Sequence, residues 1–342
     1  MPRGASSFAL TWERFTATGP GIMLAGMVTL ADIRDAAARI AGRVHRTPVL
    51  TSQALDAVAG CRLFFKCENL QKVGAFKMRG ATNAVFGLDE ATAARGVATH
   101  SSGNHAQALA LAARLRGVPA HVVMPTNAPA VKRAAVRGYG ATIYPCAPNL
   151  AARESTLEEV VARTGAAFIH PYNDDRIIAG QGTAALELLE DVPDLDVVMT
   201  PVGGGGLLSG SAIATRALAH AARVIAAEPA GADDAARSLA AGRIIPMENP
   251  RTVCDGLLTS LGERTFAVIR THVEAVWTVA DPPIIAAMRL IWERMKIIVE
   301  PSAAVCLAAV LEREEEVRGL RIGIVLSGGN VDLDHLPWLE AR

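Results

Sequence analysis

Val97-Ala98-Thr99-His100, then Ser101-Ser102-Gly103-Asn104-His105-Ala106, an alanine-rich stretch to 116, and Ala120-His121-Val122-Val123-Met124. This passage reads as strand, loop, helix, strand. The same unit recurs outward from it. Apolar runs at 141–144 and 167–170 follow, with helical stretches at 105–116, 128–138 and 151–163 in the intervals. Such alternation implies parallel strands joined by right-handed crossovers. Further runs at 197–202, 224–227, Ala275–Val279 and 322–326 continue the scheme with longer inserts. Upstream, Thr29 is a good N-cap with Asp32 three residues on, and Leu30, Ile33, Ala37 and Ile40 share one helical face. A strand over 62–68 and a helix over 79–87 come next. The expected fold class is α/β, with parallel-type sheets flanked by helices in two lobes. The small lobe covers 95–171. The large one is built from 27–94 and 172–342, so the chain leaves it and returns.

The composition sets limits. The 342 residues suggest about two domains. Hydrophobic residues make up 51% and charged residues 20%, which is a globular balance. Thirty-four basic residues offset thirty-four acidic ones with no basic run, so nucleic acid and anionic membrane are not expected partners. Cys61, Cys67, Cys146, Cys254 and Cys306 are scattered and odd in number, with no CxxC pair; a reduced, cytoplasmic setting is expected. The apolar run at 22–28 is shorter than the roughly 20 residues a bilayer demands. Glu13 and Arg14 before it argue against a signal peptide. Residues 1–26 are expected to form a flexible extension.

Ligands in open α/β sheets sit at the carboxyl ends of the strands. Gly74-Ala75-Phe76-Lys77-Met78-Arg79-Gly80-Ala81 follows the strand at 62–68. A lysine that attacks a carbonyl must be neutral, so it wants no carboxylate partner. Lys77 has no acid in its octapeptide, and the nearest upstream, Glu68, is nine residues away. Phe76 could wall a planar cofactor. Taken alone, Lys77 reads equally as a solvated lysine at a helix start. Ser101-Ser102-Gly103-Asn104-His105 offers hydroxyls, an amide and helix-start N–H groups, which suit a carboxylate or a simple N-cap turn. Gly203-Gly204-Gly205-Gly206, between a buried strand and a helix from 207, reads as an anion cradle. It lacks the spacing of a GxGxxG or Walker loop. Glu228-Pro229-Ala230-Gly231-Ala232-Asp233-Asp234 could hold a hard cation or form a solvated acidic turn. Ser327-Gly328-Gly329-Asn330 puts a hydroxyl at a strand end.

Together, and with Glu300-Pro301-Ser302, these motifs resemble the fold-type II pyridoxal-phosphate (PLP) enzymes of tryptophan synthase β-like architecture. The serine/threonine dehydratase and serine racemase group is the nearest match. Ala75-Phe76 replaces the frequent Ser-Phe before the lysine. With Pro171-Tyr172-Asn173-Asp174 and Asp255-Gly256-Leu257-Leu258, this looks most like the 3-hydroxyaspartate dehydratase branch. The resemblance implies that Lys77 holds PLP as a Schiff base and moves the substrate Cα proton. Phe76 would stack on the ring, Asn104 would bond its hydroxyl, Gly203 to Gly206 would hold its phosphate, and Ser327 would face its nitrogen. A neutral serine there favours β-elimination over transamination. Ser102 matches the second acid/base of racemases. Ser101, Ser102, Asn104 and His105 would receive the substrate carboxylate. Glu228, the Ala232 carbonyl and Asp234 match a Mg²⁺ or Ca²⁺ site. Arg153 matches a substrate-contacting arginine, and is otherwise a surface residue on its helix. The implied activity is a dehydratase/ammonia-lyase of β-hydroxy amino acids (3-hydroxyaspartate, threonine or serine), with an amino-acid racemase or a general catabolic threonine/serine dehydratase as alternatives. A homodimer is implied as well. The chain stops soon after 327–330, so no feedback-regulatory domain is expected.

Overall fold

The computed structural model describes residues 27–339 apart from Ser102 and Pro129. The expected extension at 1–26 therefore lies outside the described residues, as does Ser102. Among the described residues, ten strands form two sheets. They are β1 (Val49–Leu50), β2 (Arg62–Cys67), β3 (Val97–His100), β4 (Ala120–Pro125), β5 (Thr142–Cys146), β6 (Ala167–Phe168), β7 (Val197–Pro201), β8 (Arg223–Pro229), β9 (Ala275–Val279) and β10 (Arg321–Leu326). The six-stranded sheet runs β1-β2-β10-β7-β8-β9, and the four-stranded sheet β5-β4-β3-β6. All pairings are parallel except β1 with β2, which is antiparallel. The two-residue β1 lies at the sheet edge and is joined to β2 through the short helix Gln53–Ala59.

The large sheet is covered on both faces, which is why its strands read as nearly continuous apolar runs. Side chains alternate between faces. Leu63, Phe65, Ile322, Ile324 and Leu326 join a core with the helix Pro301–Leu311. Phe64 and Val198 point the other way, toward Leu188 and Leu189 of the helix Asp175–Asp191. At Gly323 an added Cβ would meet Leu195 Cδ1 at 2.6 Å and Leu188 Cδ2 at 2.9 Å, so those side chains pack directly over the glycine.

Thr29 caps the helix Leu30–Ile40 with the expected capping box to Asp32. The helix read as 79–87 runs instead from Lys77 to Phe86. Arg79 and Gly80 do not start it but lie inside it, and Lys77 occupies its first position. One face of this helix (Met78, Ala81, Ala84, Val85) packs into the core of the small sheet. In that sheet β3 lies between β4 and β6, so strand order reverses there. The loop after β3, starting at Ser101, therefore opens at a topological switch point.

Candidate active site

The lysine turn is stitched to the loop after β10. Phe76 N–H donates to the Ser327 carbonyl at 3.0 Å, and Gly329 N–H to the Gly74 carbonyl at 2.9 Å. Ala75 and Gly328 form an antiparallel bridge. Asn330 Nδ2 donates to the Val73 carbonyl at 2.7 Å and to Asn104 Oδ1 at 2.9 Å. Val73 has φ 58°, a left-handed conformation that a β-branched residue adopts only under restraint. Asn330 and the bridge supply that restraint.

Lys77 is half-buried, and its Nζ donates to the Pro171 carbonyl at 2.8 Å. The Phe76 ring centroid is 5.1 Å away. Burial lowers the amine's pKa to about 8. The nearest carboxylate in sequence is occupied elsewhere: Glu68 accepts from Arg79 Nε and Nη2, each at 2.7 Å. Arg79 also donates to both oxygens of Glu187 at 2.8 Å, and Lys66 Nζ donates to Glu187 at 2.7 Å. Two cations and two carboxylates thus close on one another behind the site, and Lys77 stays outside them.

The glycine loop lies between β7 and the helix Gly206–Leu218. Among the described residues, no group accepts from the N–H groups of Gly203, Gly204, Gly205 or Gly206. Gly205 has φ +88°, and its missing Cβ would strike Thr265 at 2.8 Å. Bare, converging amides at a helix start are suited to a phosphate, so the site's donors fit PLP: an amine of low pKa at one side and an open anion cradle at the other. Ser327 is buried at the end of β10.

The other expected residues fall as follows. Asn104 opens the helix Asn104–Arg116 and donates to both oxygens of Glu300, at 3.0 and 3.3 Å. Ser101 Oγ accepts from Gly103 N–H at 3.3 Å and shapes that turn. His105 is buried; its Nε2 lies 3.4 Å from the Ile169 carbonyl and its Nδ1 has no partner among the described residues. Burial, with Lys77 nearby, holds the ring neutral. A carboxylate at this helix start would meet the His105 N–H, not its ring. Arg153 is half-buried on the helix Leu150–Thr164, and its Nε has no partner among the described residues. Its charge adds to burial in lowering the His100 pKa at the end of β3.

The acidic loop is not a solvated turn. Glu228 and Asp234 are both fully buried. Glu228 accepts from Ala235 and Ala236 N–H at 3.2 and 2.7 Å, and Asp234 from Leu261 N–H at 3.2 Å. Asp234 Oδ1 is left without a partner among the described residues. Burial drives Glu228 up to about 8 and Asp234 to about 6. Buried carboxylates that form no salt bridge among the described residues, with Arg237 paired to Asp233 instead and one oxygen idle, fit an oxygen-coordinated cation.

Glu300 helped to carry the resemblance but was given no task at the site. It joins Asn104 to Asn330, whose N–H it accepts at 3.1 Å, and so ties the two sheets' loops together. Burial, with Asp255 nearby, raises it to about 8. Gly328 leaves it room, since a Cβ there would lie 2.6 Å from Glu300 Oε1.

Two α/β sheets meet at their strand ends, where a desolvated lysine and a glycine loop with free amides suit a phosphate-bearing carbonyl cofactor. The chain belongs to the pyridoxal-phosphate dependent enzyme family, whose model matches residues 40–328. It is 54% identical over 310 residues to the beta-hydroxyaspartate dehydratase of Paracoccus denitrificans, covering 91% of this chain and 98% of that protein. It is 47% identical over 312 residues to the L-threo-3-hydroxyaspartate ammonia-lyase of Saccharomyces cerevisiae, covering 91% and 96%. The crystal structure of serine racemase from Dictyostelium discoideum superposes with a TM-score of 0.86 at 51% identity, covering 90% of this chain and 99% of that one.

Proposed function

We propose that this PLP enzyme is a dehydratase/ammonia-lyase whose preferred substrate is a 3-hydroxyaspartate, which it converts to oxaloacetate and ammonia. The observation that carries the substrate is Arg153, whose Nε has no partner among the described residues and whose charge acts on His100 at the end of β3. It suits the distal carboxylate that 3-hydroxyaspartate has and threonine and serine lack. When bound, PLP supplies the electron sink for the Cα carbanion. Lys77 Nζ holds the cofactor and moves the Cα proton, and its lowered pKa lets it act as a base near neutral pH. Phe76, Asn104 and Ser327 flank the ring, and the amides of Gly203 to Gly206 hold the phosphate. The helix start at Asn104, with Ser101, binds the α-carboxylate. Loss of the β-hydroxyl as water, then hydrolysis of the imine, gives the 2-oxo acid and ammonia. Half-identity to a serine racemase keeps a second reading, in which Ser102 returns a proton to the opposite face. Chiral analysis of recovered substrate separates the two.

The test is 2-oxo acid release from the threo and erythro isomers of 3-hydroxyaspartate, with L-threonine and L-serine in parallel. Arg153→Ala is expected to lower kcat/KM for hydroxyaspartate by about 30-fold or more, the scale of a lost buried charge contact, and to leave threonine within a few-fold. Equal losses on both substrates would refute the role of Arg153.

Glu228, the Ala232 carbonyl and Asp234 are the proposed Mg²⁺ or Ca²⁺ ligands, supported by the idle Asp234 oxygen. Millimolar Mg²⁺ or Ca²⁺ is expected to raise Tm by several degrees, and a chelator to reverse it. Glu228→Gln should abolish the response; a cation shift that survives it would place the ion elsewhere. The lobes are proposed as 27–94 with 172–342, and 95–171, in keeping with the two sheets. A cytoplasmic homodimer is proposed as well. All five cysteines are buried and none is in a disulfide. No described helix is long and apolar enough to cross a membrane.

A further inference from the structure

The turn at 170–173, between β6 and the helix Asp175–Asp191, touches both halves of the cofactor site. The Pro171 carbonyl accepts from Lys77 Nζ at 2.8 Å. The Tyr172 ring lies so close under Gly204 that a Cβ there would fall 2.3 Å from it. Asn173 Oδ1 accepts from Arg264 N–H at 2.9 Å. One side chain holds this turn in shape. His170 Nδ1 accepts from Tyr172 N–H at 3.2 Å and from Asn173 N–H at 2.9 Å. A ring nitrogen that accepts carries no proton, so the proton sits on Nε2 and the ring is neutral. Burial, reinforced by His100 and Lys77, agrees with this by lowering the pKa to about 4. The ring is wedged edge-on against Tyr172, 4.6 Å between centroids, and Phe168, 5.7 Å.

We propose that His170 is a positioning residue: its Nδ1 fixes the Pro171–Asn173 turn and thereby sets the carbonyl that orients Lys77 Nζ and the ring that backs the Gly204 amide. The proposal rests on Lys77 being the PLP lysine. It makes a chemical prediction about side-chain shape. Asparagine can place Oδ1 where Nδ1 stands and keep the acceptor. Glutamine places its amide near Nε2 and loses it.

The experiment follows release of PLP from the holoenzyme on dialysis, for wild type and for His170→Ala, His170→Gln and His170→Asn, with kcat, KM and Tm measured alongside. Alanine and glutamine are expected to release PLP about tenfold faster or more, since two part-buried N–H groups lose their acceptor. They should lose kcat more than they raise KM. Asparagine should stay close to wild type in both. Wild-type PLP retention by the glutamine variant, or an asparagine variant as leaky as alanine, overturns the proposal, whatever the alanine variant's stability. A wild-type protein that holds no PLP at all would instead refute the reading of Lys77 on which this rests.

Discussion

Lys77→Ala is expected to lower kcat/KM by about a thousandfold or more, because the proposed reading gives one amine two tasks, cofactor anchor and proton carrier. Its surroundings support both tasks. The amine is desolvated, which brings its pKa to about 8. A carboxylate within reach would undo this by stabilising the ammonium. The structure avoids that by giving Glu68 and Glu187 to Arg79. The Pro171 carbonyl orients the amine without adding a charge. In the cofactor-free chain, acylation of Lys77 followed by peptide mapping should titrate with a midpoint near that value of about 8, against about 10.4 for an ordinary lysine. Reactivity rises with pH, since only the neutral amine reacts. Activity within tenfold of wild type in Lys77→Ala would end the assignment.

Arg79→Met is expected to cost about 3–5 kcal/mol of folding stability and to lower Tm by on the order of 10 °C. Arg79 is the largest fully buried side chain among the described residues, and it faces two carboxylates. Removing it leaves Glu68, fully buried, and Glu187, nearly so, with only Lys66 and the Thr47 hydroxyl to answer them. Desolvation of two like charges is then largely uncompensated. Because Arg79 lies two residues after Lys77 in the same helix, activity should fall with stability. Adding Glu68→Gln and Glu187→Gln should recover much of the Tm, since cost comes from the stranded carboxylates and not from the loss of arginine itself. Thermal melts of the single and combined variants decide this; a Tm within 2 °C of wild type for Arg79→Met would mean that the network contributes little.

The parts of the molecule that are local in sequence were the legible ones. Strands β3 and β9 fall where the apolar runs put them, and the Thr29 cap follows from Thr29 and Asp32 alone. The glycine loop, the lysine turn and Asn104 each announce themselves by residue type at a strand end. What was hidden depends on distance along the chain. Arg79 meets Glu187 across 108 residues, and Asn104 meets Glu300 across 196. No periodicity encodes such a pairing. The helix was read as starting two residues after its true start at Lys77, with Gly80 inside it in both cases. The Gly80 hydrogen atom in place of a Cβ is needed where Gln181 and Ile177 crowd it. The acidic loop gave no sign of burial, since three carboxylates in seven residues suggest a wet turn. His170 had no motif of its own; only the fold shows that its ring caps the turn beside the lysine.

The position of β10 governs how the protein comes into being. It is the last strand in chain order, yet it pairs with β2 on one side and β7 on the other. Until residues 321–326 have left the ribosome, the nascent large sheet is split in two, and two strands keep unsatisfied edges. The partnerships that stitch the lysine turn, Phe76 with Ser327 and Gly74 with Gly329, come no earlier. Pairings this remote in sequence are slow to form and leave partly folded chains open to mispairing. The proposed cofactor pocket is thus a late product of synthesis, completed only in a chain translated past β10.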